Sequence, residues 1–118
     1  MEPKEVNIEF VRGDTCPVTF PLYDGEKNPV EDFDDADMIM SVKNNFNEDN
    51  FIFQKRYSSG TISKDGNNFS FVFLPVDTES LDYGNYVFDV CVISQDFKQT
   101  IIRGTIKLTN EVTFASNE

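Results

Sequence analysis

A chain of 118 residues has room for one domain, and 1–118 reads as a single unit able to bury somewhat under ~70% of the surface its unfolded form exposes. Its formal charge of −11, with 21 acids against 10 bases and no His, repels phosphate backbones and anionic headgroups, so neither nucleic acid nor membrane is an expected partner. Two Cys without His make neither a metal knuckle nor a disulfide framework, and both Cys16 and Cys91 are expected as reduced, partly buried thiols.

Period-2 alternation broken by turn residues recurs along the chain, whereas helical periodicity is hard to find. The opening "MEPKEVNIEF" is charged where a secretory leader needs an apolar run, so no signal peptide is expected. "VNIEFV" (6–11) reads as a first edge strand. "CPVTFPLY" (16–23) follows with Cys16, Val18, Phe20 and Leu22 on one face; Pro17 and Pro21, unable to donate to a ladder, predict a free edge. Between the two strands lies Arg12-Gly13-Asp14, a cell-adhesion tripeptide by composition. Thr15 resumes the alternation at once, so the tripeptide reads as a bend in which Gly13 supplies a permissive backbone and Asp14 a local hydrogen bond.

"YDGEKNP" (23–29) is a turn, and "VEDFDDAD" (30–37) is an acidic connection within a first half, residues 1–50, that holds 13 acids and 4 bases. Asp32, Asp34, Asp35 and Asp37 are candidate calcium ligands by residue type alone. The spacing and glycine of an EF-hand loop are missing, so a solvated acidic loop is expected and no metal or cofactor is assigned.

"MIMSVK" (38–43) aligns Met38, Met40 and Val42; the loop "NNFNEDN" (44–50) leads into a strand "FIFQKRY" (51–57) and then a short "TISK" (61–64). Asp65-Gly66 predicts a type I′ hairpin turn into "NFSFVFL" (68–74), which places Phe69, Phe71 and Phe73 together. "PVDTESLDYGN" (75–85) is a long connection, "YVFDVCVI" (86–93) the most apolar strand, and "TIIRGTIKL" (100–108) the last, with Ile102, Ile106 and Leu108 on one face. The pattern predicts an all-β antiparallel sandwich of about seven to eight strands, with 113–118 frayed.

Asp82, Gly84 and Tyr86 have the spacing of a tyrosine corner, in which a Tyr entering strand F of an immunoglobulin-like sandwich bonds back to upstream backbone. Phe88, Val90 and Val92 then point inward and Cys91 outward, which argues against a Cys16–Cys91 bridge. Without His, a nucleophile elbow or a phosphate-binding Gly-rich loop, the usual nucleophile and base pairs cannot be assembled; paired carboxylates alone could serve a glycosidase, but a compact sandwich of this length offers little room for the cleft, and a non-enzymatic role is expected. Phe33, Phe46 and Phe97 fall in loops, where exposed rings offer contact points for a protein partner or a sugar.

Taken together, "RGDTCPVTFPLYDGEKNPVEDFDDADMIMSVK", "GTISKDGNNFSFVFLPVDTESLDYGNYVFDV" and "TIIRGTIKLTNEVT" resemble the immunoglobulin-like module of tailed-bacteriophage virion proteins, in particular the N-terminal domain of the baseplate upper protein family. The shared elements are the "RGDT" opening, the "DG" turn, "LPVDTESLDYGNYVFDV" and the "GTIKLTNEVT" ending. The resemblance implies a virion protein made in the host cytoplasm, with other virion proteins and further copies of itself as partners, and transfers no catalytic residues. Family members continue into a long region, so a chain of this length is expected to serve as a small separate subunit. It would be an adaptor of the tail or baseplate, or a decoration subunit of the capsid or neck. A carbohydrate-binding module recognising host-surface glycan is the alternative expectation.

Overall fold

In a computed structural model, described over residues 4–23, 26–29, 36–95 and 97–110, eight strands and one helical turn follow one another. They are β1 (Lys4–Val11), β2 (Cys16–Pro21), β3 (Ala36–Lys43), β4 (Phe53–Arg56), β5 (Ser63–Asp65), β6 (Asn68–Phe73), α1 (Pro75–Thr78), β7 (Gly84–Ser94) and β8 (Phe97–Thr109). A five-stranded sheet runs in the order β1-β8-β7-β3-β4, and a three-stranded one in the order β2-β6-β5. The smaller sheet matches strands B, E and D of an immunoglobulin-like sandwich; β3, β7 and β8 match C, F and G, with β4 as C′. The expected all-β sandwich is therefore present, and β1 and β2 both lie at sheet edges as their sequences indicate.

One pairing departs from the antiparallel expectation. β1 runs parallel to β8, from Lys4 opposite Ile102 to Val11 opposite Thr109. The two backbones come so close that a Cβ on Gly104 would overlap the Val6 carbonyl, so only glycine seats β1 there.

Alternation sends one parity of each strand inward. Met38, Met40 and Val42 of β3, Phe69, Phe71 and Phe73 of β6, Phe88 and Val90 of β7, and Ile106 and Leu108 of β8 are each at most 2% exposed. Burying a side chain of this size contributes about 1.5–3 kcal/mol. The Phe73 ring stacks on Phe10 and meets Phe71 edge-on, both at 5.4 Å between centroids, which ties β1 to the smaller sheet.

Three local expectations shift. The strand drawn over 51–57 contracts to β4, leaving Phe51 outside the ladder. The β5–β6 hairpin forms, but its central pair is Gly66–Asn67, with Asp65 already opposite Asn68. Only Gly66 of that pair has a positive φ, 62°, which is the pattern of a II′ turn with glycine first and not of a I′ turn. The connection over 75–85 contains α1, begun by Pro75 with its φ preset for a first helical turn. Its start is closed by Asp77, whose Oδ2 accepts the Leu74 amide at 2.7 Å while its own amide donates to the Leu74 carbonyl at 2.9 Å.

Candidate functional site

Two regions of the surface concentrate polar chemistry. The first surrounds the β1–β2 turn. Gly13 adopts φ 87°, and the Asp14 amide donates to the Val11 carbonyl at 3.0 Å, closing the bend. The Arg12 guanidinium donates to the Leu81 carbonyl and the Tyr83 hydroxyl, both at 3.0 Å, and lies 4.2 Å from the centroid of the Tyr83 ring. The Gly13 amide donates to Thr78 Oγ1 at 2.9 Å, and the Arg12 amide to the Thr109 carbonyl at 3.1 Å. Arg12-Gly13-Asp14 thus forms the bend its sequence predicts. The local bond expected of the Asp14 side chain is made by its backbone, and its carboxylate is exposed.

Beside this turn the Tyr86 hydroxyl donates to the Asp82 carbonyl at 2.8 Å, with Gly84 at φ 135°: the tyrosine corner forms as its spacing predicts. Burial, assisted by the Asp82 charge, raises the Tyr86 phenol above its ordinary value. Lys55 of β4, only 6% exposed, places its ammonium 2.8 Å from Asp77 Oδ2 and so couples the sheet edge to α1.

Of the candidate calcium ligands, Asp32, Asp34 and Asp35 lie outside the described residues, as does Phe33. Asp37 is committed to structure: Oδ1 accepts the Met38 and Ser58 amides at 2.8 and 2.9 Å, and Oδ2 accepts the Ser58 hydroxyl at 2.8 Å. Burial pushes its pKa up, but these bonds and the Arg56 charge outweigh that and hold it below the usual carboxylate value. Phe46 and Phe97, the two described loop aromatics, sit on different elements. Phe46 folds back over the five-stranded sheet, with the Arg103 guanidinium 4.2 Å from its ring centroid, while Phe97 stands 51% exposed on the β7–β8 hairpin opposite Ser94.

The second region is the outer face of that sheet. Register aligns Gln54, Ser41, Asp89, Arg103 and Glu5 in one row across β4, β3, β7, β8 and β1. Beside this row an open groove of about 190 Å³ runs between Phe51, Asp49 and Lys98, over a floor that includes Ile39 and Cys91. Gln54 Nε2 donates to Ser41 Oγ at 2.9 Å, and Cys91 Sγ sits 3.4 Å from Thr100 Oγ1. Cys16, by contrast, packs against the core from β2, where burial raises its thiol pKa, so the two thiols occupy different surfaces. Sequence reasoning missed the lining of this groove, and its aromatic wall Phe51 in particular because "FIF" reads as an uninterrupted strand.

Neither a protein-family model nor a curated protein matches this chain.

Proposed function

We propose that this chain is a non-enzymatic structural subunit of a tailed-bacteriophage virion, serving as an adaptor of the tail or baseplate or as a decoration subunit of the capsid or neck. The observation that carries the reading is the convergence of the motifs on which the resemblance rests. Arg12 and Gly13 of the "RGDT" opening bond to Thr78, Leu81 and Tyr83 of "LPVDTESLDYGNYVFDV" and to Thr109 of "GTIKLTNEVT". Three segments far apart in sequence form one interlocked unit, as a shared structural module requires. On this reading the tripeptide is architecture and the domain attaches to its neighbours through sheet faces and strand edges.

The test is localisation. Density for the domain in a map of the assembled particle, at a few copies in a tail ring, would identify the adaptor. Copies spread over the head lattice would identify decoration. Purified particles that lack the protein at low salt, where electrostatic attachment is strongest, would reject the virion reading.

A further inference from the structure

We propose that the groove on the outer face of the five-stranded sheet binds one neutral hexopyranose unit of a glycan. The inference rests on the groove alone and holds wherever the subunit sits.

Size restricts the ligand first. At about 190 Å³ the groove lies below the ~300–1,000 Å³ of drug-sized pockets, and it opens to solvent along its length. A single ring fits, and the neighbouring units of a chain can run out of it. One wall is the Phe51 ring, 51% exposed, which offers an apolar face to the C–H side of a sugar. The floor beneath includes Ile39 and Cys91, each 9% exposed, so a ring lying on it covers apolar surface as well.

Around the floor stand groups suited to hydroxyls. Lys43, Asp49 and Lys98 line the groove with no side-chain hydrogen bond or ion pair among the described residues. Asp89 lies directly opposite Arg103 in the ladder, where an ion pair would be expected. The Arg103 guanidinium instead stacks on Phe46, and among the described residues the Asp89 carboxylate keeps only the weak Cys91 thiol contact at 3.9 Å. Gln54 uses its Nε2 on Ser41, which leaves its carbonyl oxygen to accept. From its described residues the groove therefore presents two ammonium donors, two carboxylate acceptors and an amide oxygen beside an aromatic ring. Among the described lining residues two positive and two negative groups balance, which disfavours a phosphate or a bare cation and favours a neutral polyol whose hydroxyls both donate and accept.

The experiment is an amide-resolved NMR titration of the full chain with D-glucose, D-galactose, N-acetyl-D-glucosamine and L-rhamnose. At least one sugar is expected to give saturable shifts confined to 39–43, 49–54, 89–93 and 98. Phe51→Ala and Gln54→Ala should each weaken that binding at least tenfold, with Lys98→Ala as the replacement should either fail to fold, while Phe97→Ala leaves it unchanged. Groove amides that respond to none of the four sugars, or respond equally in the Phe51, Gln54 and Lys98 variants, overturn the proposal. So do groove shifts that follow protein concentration without sugar, since a second copy then occupies the surface.

Discussion

Lys55 and Lys98 both belong to the five-stranded sheet, yet Lys55 is 6% exposed with its ammonium 2.8 Å from Asp77, while Lys98 is exposed and has no ion pair among the described residues. The same contrast separates the regions around them. At the turn end, the Arg12 guanidinium, the Gly13 amide, the Thr78 and Tyr86 hydroxyls and the Asp77 carboxylate are all satisfied by the domain itself. Along the groove, Lys43, Asp49 and Lys98 are satisfied by nothing described within it. Polar groups that hold a fold together are thus distinguishable from polar groups left for something else, and substitution should read the difference as stability.

The largest effect is expected from Asp77→Ala, which strands the Lys55 ammonium and frees the Leu74 amide; denaturant melts should show a loss of about 3–5 kcal/mol. A loss below ~1 kcal/mol would erase the contrast at its strongest point. Arg12→Ala removes two hydrogen bonds and a ring contact and should cost about 2 kcal/mol, whereas Asp14→Ala, at the exposed end of the same tripeptide, should stay within ~0.5 kcal/mol. Equal losses at the two positions would contradict the assignment of Arg12 as the anchor.

Tyr86→Phe should cost about 1 kcal/mol by deleting the corner bond. Asp37 gives a pH signature instead. Its folded pKa is depressed, so its contribution is fully present above the unfolded carboxylate value and is lost as pH falls through the folded one. Acid titration of the wild-type and Asp37→Asn proteins should therefore converge at low pH, from a gap of somewhat under ~1 kcal/mol at neutrality. A gap that persists at low pH would show that the hydrogen bonds do not depend on the charge. The smallest changes are expected in the groove: Lys98→Ala and Asp49→Ala should each shift stability by no more than ~0.5 kcal/mol. A larger loss would mean that these groups belong to the fold after all.

Much of the scaffold was legible because its signals are local. Period-2 runs place Phe69, Phe71 and Phe73, and Met38, Met40 and Val42, on inward faces, and the Asp82-Gly84-Tyr86 spacing announces its own hydrogen bond. The helical turn α1 also carried a readable signal, Pro75 at its first position and Asp77 three residues beyond Leu74, which the strand-dominated reading passed over. What alternation cannot encode is which strands become neighbours. The parallel β1–β8 pair joins residues with no local relation, and its one mark, Gly104, reads in sequence as a lone strand glycine. The groove was hidden for the same reason: its walls come from β3, β4, β7, β8 and the 44–52 loop, and only the sheet order brings them together.

The parallel pairing also sets a timetable for folding. Asn7 waits for Thr105, 98 residues further along the chain, and at ~5–20 residues per second a ribosome takes roughly 5–20 s to make the intervening segment. The β7–β8 hairpin closes within its own few residues and faces no such delay. During the wait Val6, Ile8 and Phe10 have no ladder to join, and the charges of Lys4, Glu5 and Glu9 are what discourage them from pairing with another nascent chain. β1 is made well before the strand it pairs with, and it is seated only once β8 brings Gly104 into place.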